Sequence, residues 1–218
     1  MKKILEFGGV AAGIVLIAFG VAAIVLGSNG KSTVASNLKA EQITGTSDMT
    51  PAGIAAEAKA AGLKNVSFPT CSVAGKAVNS GSRARCFAQY MRIHALEATG
   101  GFVYAQMGQY QAKPGTPKAQ LTPDGATSNT DYAVLDPKTH QPVSNARRNV
   151  WVTETALTTA LNTSYMADQL GTFGIVVGVA LLLSGVGFLI LALGGIRTEG
   201  YLVDRLAHRG SKAKPIPA

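Results

Sequence analysis

Two uninterrupted apolar segments lie near the two ends of this chain, and a long, mostly polar segment separates them. The apolar segments are residues 8–27 and residues 171–196, and neither contains a charged side chain. A helix needs roughly 20 apolar residues to cross about 30 Å of hydrocarbon, so each segment is long enough to span a bilayer. The pattern predicts a mainly α-helical protein with two transmembrane helices and one large loop, residues 28–170.

Positive charge close to the two spans predicts their orientation. Lys2 and Lys3 precede the first span, and residues 197–218 hold five basic and two acidic residues. Because basic residues near a span are retained on the cytoplasmic side, we expect both termini in the cytoplasm and residues 28–170 outside the plasma membrane. A cleaved signal peptide is the alternative for the first span. We favour a retained span, because the apolar run exceeds the usual signal core of about 7–15 residues and no A-x-A-like site follows it.

The formal net charge of +8 does not indicate a nucleic-acid partner. Half of the excess lies in the predicted cytoplasmic parts, residues 1–7 and 197–218, where it suits the anionic headgroups of the bilayer. The other half is spread thinly over the outer loop, without the basic stripe that nucleic-acid binding needs.

The two cysteines, Cys71 and Cys86, both lie in the predicted outer loop. Thiols outside the cytoplasm tend to be oxidised, so we expect an intramolecular disulfide. Closing a loop of this length stabilises a domain by roughly 3 kcal/mol in the chain-entropy model. A metal pair and a redox pair are the alternatives, and neither has the usual C-x-x-C spacing.

Local signals predict the helices of the outer domain. Residues 32–43 are good helix formers that extend the first span outward as a stalk. Thr50 and Pro51 begin a short helix that stops near Gly62. A stronger helix begins at Gly81 or Ser82, and the glycines after Thr99 end it.

The rest of the outer loop divides into a proline-rich part and a helical part. Residues 102–110 fit either a short strand or a helical turn. Residues 111–146 contain five prolines, and we expect a long, mobile surface loop there. From Arg147 to Leu170 the chain has neither proline nor glycine. This segment is predicted to continue into the second span as one helix of roughly 45–50 residues, about 70 Å long.

Glycines recur at helical spacing in both spans. Small residues four apart let helix backbones approach closely, which permits either association between copies of the chain or packing of its two spans on each other. We favour packing within one chain, and a homo-oligomer remains compatible with the pattern. The predicted packing residues are Gly9, Gly13, Gly20, Gly174, Gly178 and Gly185.

Chemistry-bearing residues concentrate in a candidate polar cluster formed by Arg92, His94, Glu97 and Glu154. The two glutamates are predicted to face each other across the outer helices, where ion pairing with Arg92 or Arg147 is as good an interpretation as acid–base work. His94 is expected to be a structural histidine, with Glu97 as its partner. No H-x-x-x-H pair is present, so a zinc site would need ligands scattered through the fold. The sequence therefore predicts no catalytic residue, no metal site and no cofactor.

Four stretches resemble an uncharacterised family of actinobacterial two-span membrane proteins: residues 71–76, 84–87, 90–101 and 150–157. The likeness extends over both spans and implies a Gram-positive cell envelope, but no established activity. Similar proteins are sometimes labelled aromatic ring-opening dioxygenases. An extradiol enzyme of that kind holds iron with two histidines and a carboxylate. Only His94 and His140 share a predicted side of the membrane here, and His140 lies in the proline-rich loop, so the residues do not support the label.

We therefore expect a non-enzymatic integral membrane protein whose outer domain binds another membrane or cell-envelope component. One alternative is a sensor that signals through the second span to the basic tail. The other is an envelope enzyme, such as a metal-dependent oxygenase or hydrolase.

Overall fold

The computed structural model describes the backbone of residues 2–210 and the side chains of residues 6–194. The described chain is mainly helical, as predicted, and its β-pairing is limited to isolated bridges. Of the predicted basic tail, residues 211–218 and the side chains of residues 197–210 lie outside this description. The described residues form four α-helices: α1 (Lys2–Ala40), α2 (Pro51–Ala60), α3 (Gly81–Thr99) and α4 (Ala146–Gly210). Three 3-10 helices complete the order: Tyr104–Gln106, Lys118–Gln120 and Thr130–Tyr132.

The signals that predicted α2 and α3 act as expected. Thr50 caps α2 by accepting a hydrogen bond from the Gly53 amide at 3.0 Å, and proline occupies the first helical position. Ser80 caps α3, and Gly100 ends it in the left-handed conformation with φ 71°. Both helices therefore occupy the predicted segments.

The two long helices extend past the predicted spans. α1 contains 39 residues and includes most of the predicted stalk. α4 contains 65 residues, so the prediction of 45–50 residues was too short. The prediction ended the helix with the apolar run, at Ile196, whereas α4 continues through the more polar residues that follow, to Gly210.

The chain forms two compact units, which are described separately. Unit 1 consists of Met1–Lys31 and Leu170–Ala218. It contains the apolar parts of α1 and α4, and each of these helices is long and apolar enough, by length and composition, to cross a membrane. Large apolar side chains point away from the unit, among them Phe19 (66% exposed) and Leu183 (69% exposed).

Glycines bring the two helices of unit 1 together backbone to backbone. A Cβ built on Gly20 would lie 2.8 Å from the carbonyl oxygen of Gly178, and one built on Gly178 would lie 2.7 Å from that of Gly20. The same reciprocal contact joins Gly13 with Gly185 and Gly27 with Gly171. Pairs therefore recur every seven residues, and the helices run antiparallel.

The other predicted packing glycines lie at the edges of this contact. A Cβ on Gly9 would approach the Cβ of Ala192 at 3.2 Å, and one on Gly174 would meet the Ala23 carbonyl at an ordinary 3.5 Å. The contact within one chain thus depends most on the three reciprocal pairs.

Unit 2, Ser32–Gln169, is built around α3. Tyr90 and Ile93 are buried in its main core, and the Tyr90 hydroxyl donates a hydrogen bond to the Cys71 carbonyl. The predicted disulfide between Cys71 and Cys86 is confirmed. It joins the loop before α3 to the second turn of that helix. A smaller apolar cluster around Trp151 extends the core along α4.

The proline-rich segment has a defined fold that the sequence does not predict. Tyr110 bridges to Thr127 and Ser144, and Leu135 bridges to Pro142. The preceding segment forms a helical turn at Tyr104–Gln106 rather than a strand. Polar side chains and turns, rather than an apolar face, stabilise the fold of this segment. The fold could therefore not be predicted from hydrophobic periodicity.

Asp124 is the centre of that polar network. Its carboxylate accepts hydrogen bonds from the amides of Gly108 and Ala126, the Thr122 hydroxyl and the Asn145 side chain. Burial alone would raise the pKa of Asp124, but these hydrogen bonds outweigh it and lower the pKa below the ordinary value of 3.8.

Candidate functional site

A polar cleft opens in unit 2 between α3, α4 and residues 65–69, and we call it the arginine cleft. Its volume is about 580 Å³. One face of α3 lines it, because residues separated by three or four positions lie on the same side of a helix. The residues that carry its polar chemistry are Asn65, Arg85, Gln89, Arg92, Glu154, Thr155, Thr158 and Asn162.

Arg92 and Glu154 form an ion pair in the cleft wall. Arg92 Nη1 lies 3.4 Å from Glu154 Oε2, and the guanidinium lies 3.8 Å from the centre of the Trp151 ring. The Glu154 side chain is only 3% exposed, whereas that of Arg92 is 46% exposed. The arginine therefore supplies the positive charge that makes burial of the carboxylate tolerable.

The burial of Glu154 leaves one of its oxygens without a donor. Oε2 accepts a second hydrogen bond from the Thr155 hydroxyl, at 3.3 Å. Oε1 is buried and has no hydrogen-bond partner among the described residues. A buried acceptor in this state is costly, so a donor that entered the cleft wall would be stabilised there.

Arg85 lies two turns before Arg92 on α3 and is exposed. Its guanidinium lies 4.7 Å from the centre of the Tyr165 ring. In the part of the chain that the structure describes, no carboxylate pairs with Arg85. Since Arg92 is neutralised by Glu154, this end of the cleft keeps a net positive charge.

A second group, the acid–histidine cluster, consists of Asp48, Glu57 and His94. His94 Nε2 lies 3.0 Å from Asp48 Oδ2 and 3.5 Å from Glu57 Oε2. Asp48 is in the turn before α2, Glu57 is on α2 and His94 is on α3. A hydrogen bond from Thr46, together with the nearby His94, lowers the pKa of the Asp48 carboxyl in spite of its partial burial.

The predicted polar cluster is thus divided between two places. Arg92 and Glu154 meet in the arginine cleft. His94 contacts Asp48 and Glu57 rather than Glu97, which is exposed on α3 and belongs to neither group. His140 lies in the turn after Asp136 and is not among the residues of either group.

Three further residues of these groups were missed by sequence reasoning. The spacing of Arg85 from Arg92 on one predicted helix face was a usable signal for the cleft. Asp48 and Glu57 gave no such signal, because each lies on a different element from His94 and far from it in sequence.

An apolar groove of about 530 Å³ lies on the other side of the α3–α4 contact. Met91, Leu157 and Val150 line it, and His94 is also part of its lining. Glu154 borders this groove as well as the arginine cleft, so its carboxylate lies between the two cavities.

Comparison with known proteins gives no match to any family model, curated protein or solved structure. The functional conclusions below therefore rest on the residues of this chain.

Proposed function

We propose that this chain is a two-span protein of the plasma membrane, with both termini in the cytoplasm and residues 28–170 outside. The antiparallel helices of unit 1 support this, because glycines join them while large apolar side chains such as Phe19 point outward, where lipid would surround them. The positive charge beside both spans supports the orientation. The disulfide suits an oxidising compartment.

The outer domain, in this proposal, is a non-enzymatic binding module. Its partner is another membrane or cell-envelope component that presents an anionic group. The arginine cleft is the observation that carries the proposal. Arg85 has no carboxylate partner among the described residues, so its guanidinium is available for a carboxylate or phosphate of the partner.

The aromatic ring beside Arg85 strengthens this interpretation. Stacking against Tyr165 restricts the guanidinium before any partner arrives, so less side-chain entropy is lost on binding. Gln89 and Asn162 add neutral donors and acceptors near the charge. The cleft volume lies within the range of about 300–1,000 Å³ that is typical of ligand sites, which suits a projecting polar group.

The experiment is affinity purification of the tagged protein from crosslinked native membranes, with identification of the co-purifying proteins. The test variant is Arg85→Ala. The matched control is Arg148→Ala, which also removes an arginine stacked on a tyrosine, at 4.1 Å from the ring centre of Tyr104, but does not line the cleft.

We expect one stoichiometric partner with the wild type and with Arg148→Ala. Loss of a charge-assisted hydrogen bond is worth about 1.5–3 kcal/mol, so Arg85→Ala should reduce recovery at least about tenfold. Equal recovery with all three proteins would contradict a role for the cleft.

A sensor is the second candidate function, and the continuity of α4 favours it. One uninterrupted helix contains the cleft residues Glu154 and Thr158 together with the apolar segment of unit 1. A ligand in the cleft would then act on a helix that continues to the basic tail. Truncation of the chain after residue 196 should abolish signalling while leaving partner recovery intact. A truncated protein with every cellular phenotype unchanged would exclude the sensor.

A further inference from the structure

We propose that Asp48, Glu57 and His94 form a binding site for a divalent transition-metal ion, with Zn²⁺ as the best-suited ion. One imidazole nitrogen and two carboxylate oxygens converge here from three elements of unit 2. These are ligand types that Zn²⁺ accepts, and three protein ligands leave a position for water.

The distances fit such an ion. His94 Nε2 is 3.0 Å from Asp48 Oδ2 and 3.5 Å from Glu57 Oε2, and all three ligand atoms lie within 4.8 Å of one another. Zinc bonds of about 2.0–2.2 Å in a tetrahedral arrangement place neighbouring ligand atoms roughly 3.3–3.6 Å apart. The 3.5 Å distance lies within that range and the 3.0 Å distance lies slightly below it, so small side-chain rotations would complete the site.

The hydrogen bonding of the cluster is incomplete without a cation. Asp48 Oδ2 is buried and receives no hydrogen bond of good geometry, although His94 Nε2 is close to it. A neutral imidazole that donates from Nε2 has one proton for the two carboxylates. An ion between them would contact both carboxylates and the imidazole lone pair together, which removes the cost of the unpaired oxygen.

The backbone around Asp48 is held firmly, so the site is largely formed before an ion binds. Met49 is buried in the core, and the Thr50 amide donates to the Asp48 carbonyl at 2.6 Å. Gly53 allows the first turn of α2 to lie close to this turn, since a Cβ at residue 53 would collide with the Asp48 carbonyl oxygen.

The mixed ligand set separates zinc from the hard cations. Mg²⁺ and Ca²⁺ prefer oxygen ligands, and Ca²⁺ takes six to eight of them. An imidazole ligand favours Zn²⁺ and its transition-metal neighbours. The competing interpretation is a histidine that pairs with two carboxylates and binds no ion.

The experiment uses the full-length protein in mild detergent, carrying a purification tag without histidines and stripped of metal by a chelator. Zinc chloride is titrated in by calorimetry, and bound metal is measured after desalting. We expect one Zn²⁺ per chain, a higher melting temperature on binding, and at least about 100-fold weaker binding of Mg²⁺ and Ca²⁺.

The variants decide where the ion binds. His94→Ala and Asp48→Asn should each weaken Zn²⁺ binding at least about 100-fold, while the control His140→Ala should bind as the wild type does. If His94→Ala fails to fold, Asp48→Asn and Glu57→Gln carry the same test with nearly unchanged side-chain volume.

Two results would overturn the proposal. One is a folded wild-type protein that retains no stoichiometric Zn²⁺, which would leave the cluster as an ion-paired histidine. The other is equal Zn²⁺ binding by a folded His94→Ala protein, which would put the ion elsewhere. Neither result bears on the arginine cleft, since Arg85 is not part of this cluster.

Discussion

The glycine contacts of unit 1 lead to a sharp prediction for Gly20→Ala. The added Cβ would lie 2.8 Å from the Gly178 carbonyl oxygen and 2.9 Å from the Leu182 backbone nitrogen. Ordinary van der Waals contact begins near 3.4 Å, so one helix must retreat by about 0.6 Å. Two of the three nearest atoms are backbone atoms, which cannot rotate away as a flexible side chain would, and the third is Cγ of Leu182.

The expected cost follows from two opposing terms. Overpacking of a close contact costs about 1–3 kcal/mol. Alanine regains at most about 1 kcal/mol over glycine through its higher helix propensity. We therefore expect Gly20→Ala to lower the free energy of unfolding by up to about 2 kcal/mol. The double variant Gly20→Ala/Gly178→Ala should cost less than the sum of the singles, because both substitutions strain one contact.

The assay is thermal unfolding of the full-length protein in mild detergent, at about 2–4 °C per kcal/mol for a chain of this size. Gly187→Ala is the matched control, since Gly187 lies on the apolar stretch of α4 that also contains Gly178, and a Cβ there would meet nothing within 4 Å. That variant should melt at or slightly above the wild-type temperature. If Gly20→Ala and Gly187→Ala melt together, the close approach of the helices is not what stabilises unit 1.

Two further predictions concern unit 2. Arg92→Ala should destabilise the protein by about 1–3 kcal/mol in chemical denaturation, because it leaves the buried Glu154 carboxylate unpaired, whereas the exposed Arg85→Ala should cost less than about 0.5 kcal/mol. Asp124 has a folded-state pKa below its ordinary 3.8, so its contribution is fully present above that pH and is lost as the pH falls through the folded-state value. Melting curves between about pH 5 and about pH 3 should therefore show an acid-induced loss of stability that is smaller in Asp124→Asn, and an equal loss in both proteins would contradict this role.

The helices were largely predictable from sequence because their signals are local. A capping threonine followed by proline marks the start of α2, and a left-handed glycine marks the end of α3. The length of α4 was underestimated because the prediction followed the apolar run, which ends at Ile196, whereas the helix continues to Gly210 without that pattern. The fold of residues 111–146 was missed because Asp124 organises it through hydrogen bonds to backbone amides, a pattern without periodicity.

In the candidate sites, too, local features could be predicted from the sequence, whereas contacts between elements could not. Arg85 and Arg92 lie on one helix, so their common face follows from spacing alone. The contact of Arg92 with Glu154 depends on how α3 packs against α4. The sequence indicates that these two helices are partners, but it does not give the register of their packing. The meeting of Asp48, Glu57 and His94 depends on the path of the chain between three elements. The disulfide and the buried Tyr90 help to fix that path. No sequence motif predicts that these three residues meet.

The two proposed sites share α3, and their positions on it predict that they act independently. Arg92 and His94 are two residues apart, which places them about 200° apart around the helix axis. An ion at His94 would reach the cleft either through Glu154, which borders both the cleft and the groove that His94 lines, or by shifting α3 as a body. The Cys86 disulfide and the hydrogen bond from Tyr90 to the Cys71 carbonyl oppose that shift. We therefore expect Arg85→Ala to bind Zn²⁺ within about twofold of the wild type, as coupling energies between sites are otherwise about 1–3 kcal/mol. A change of tenfold or more in zinc affinity would mean that α3 moves between two positions. That result would favour the sensor over the binding module as the function of this protein.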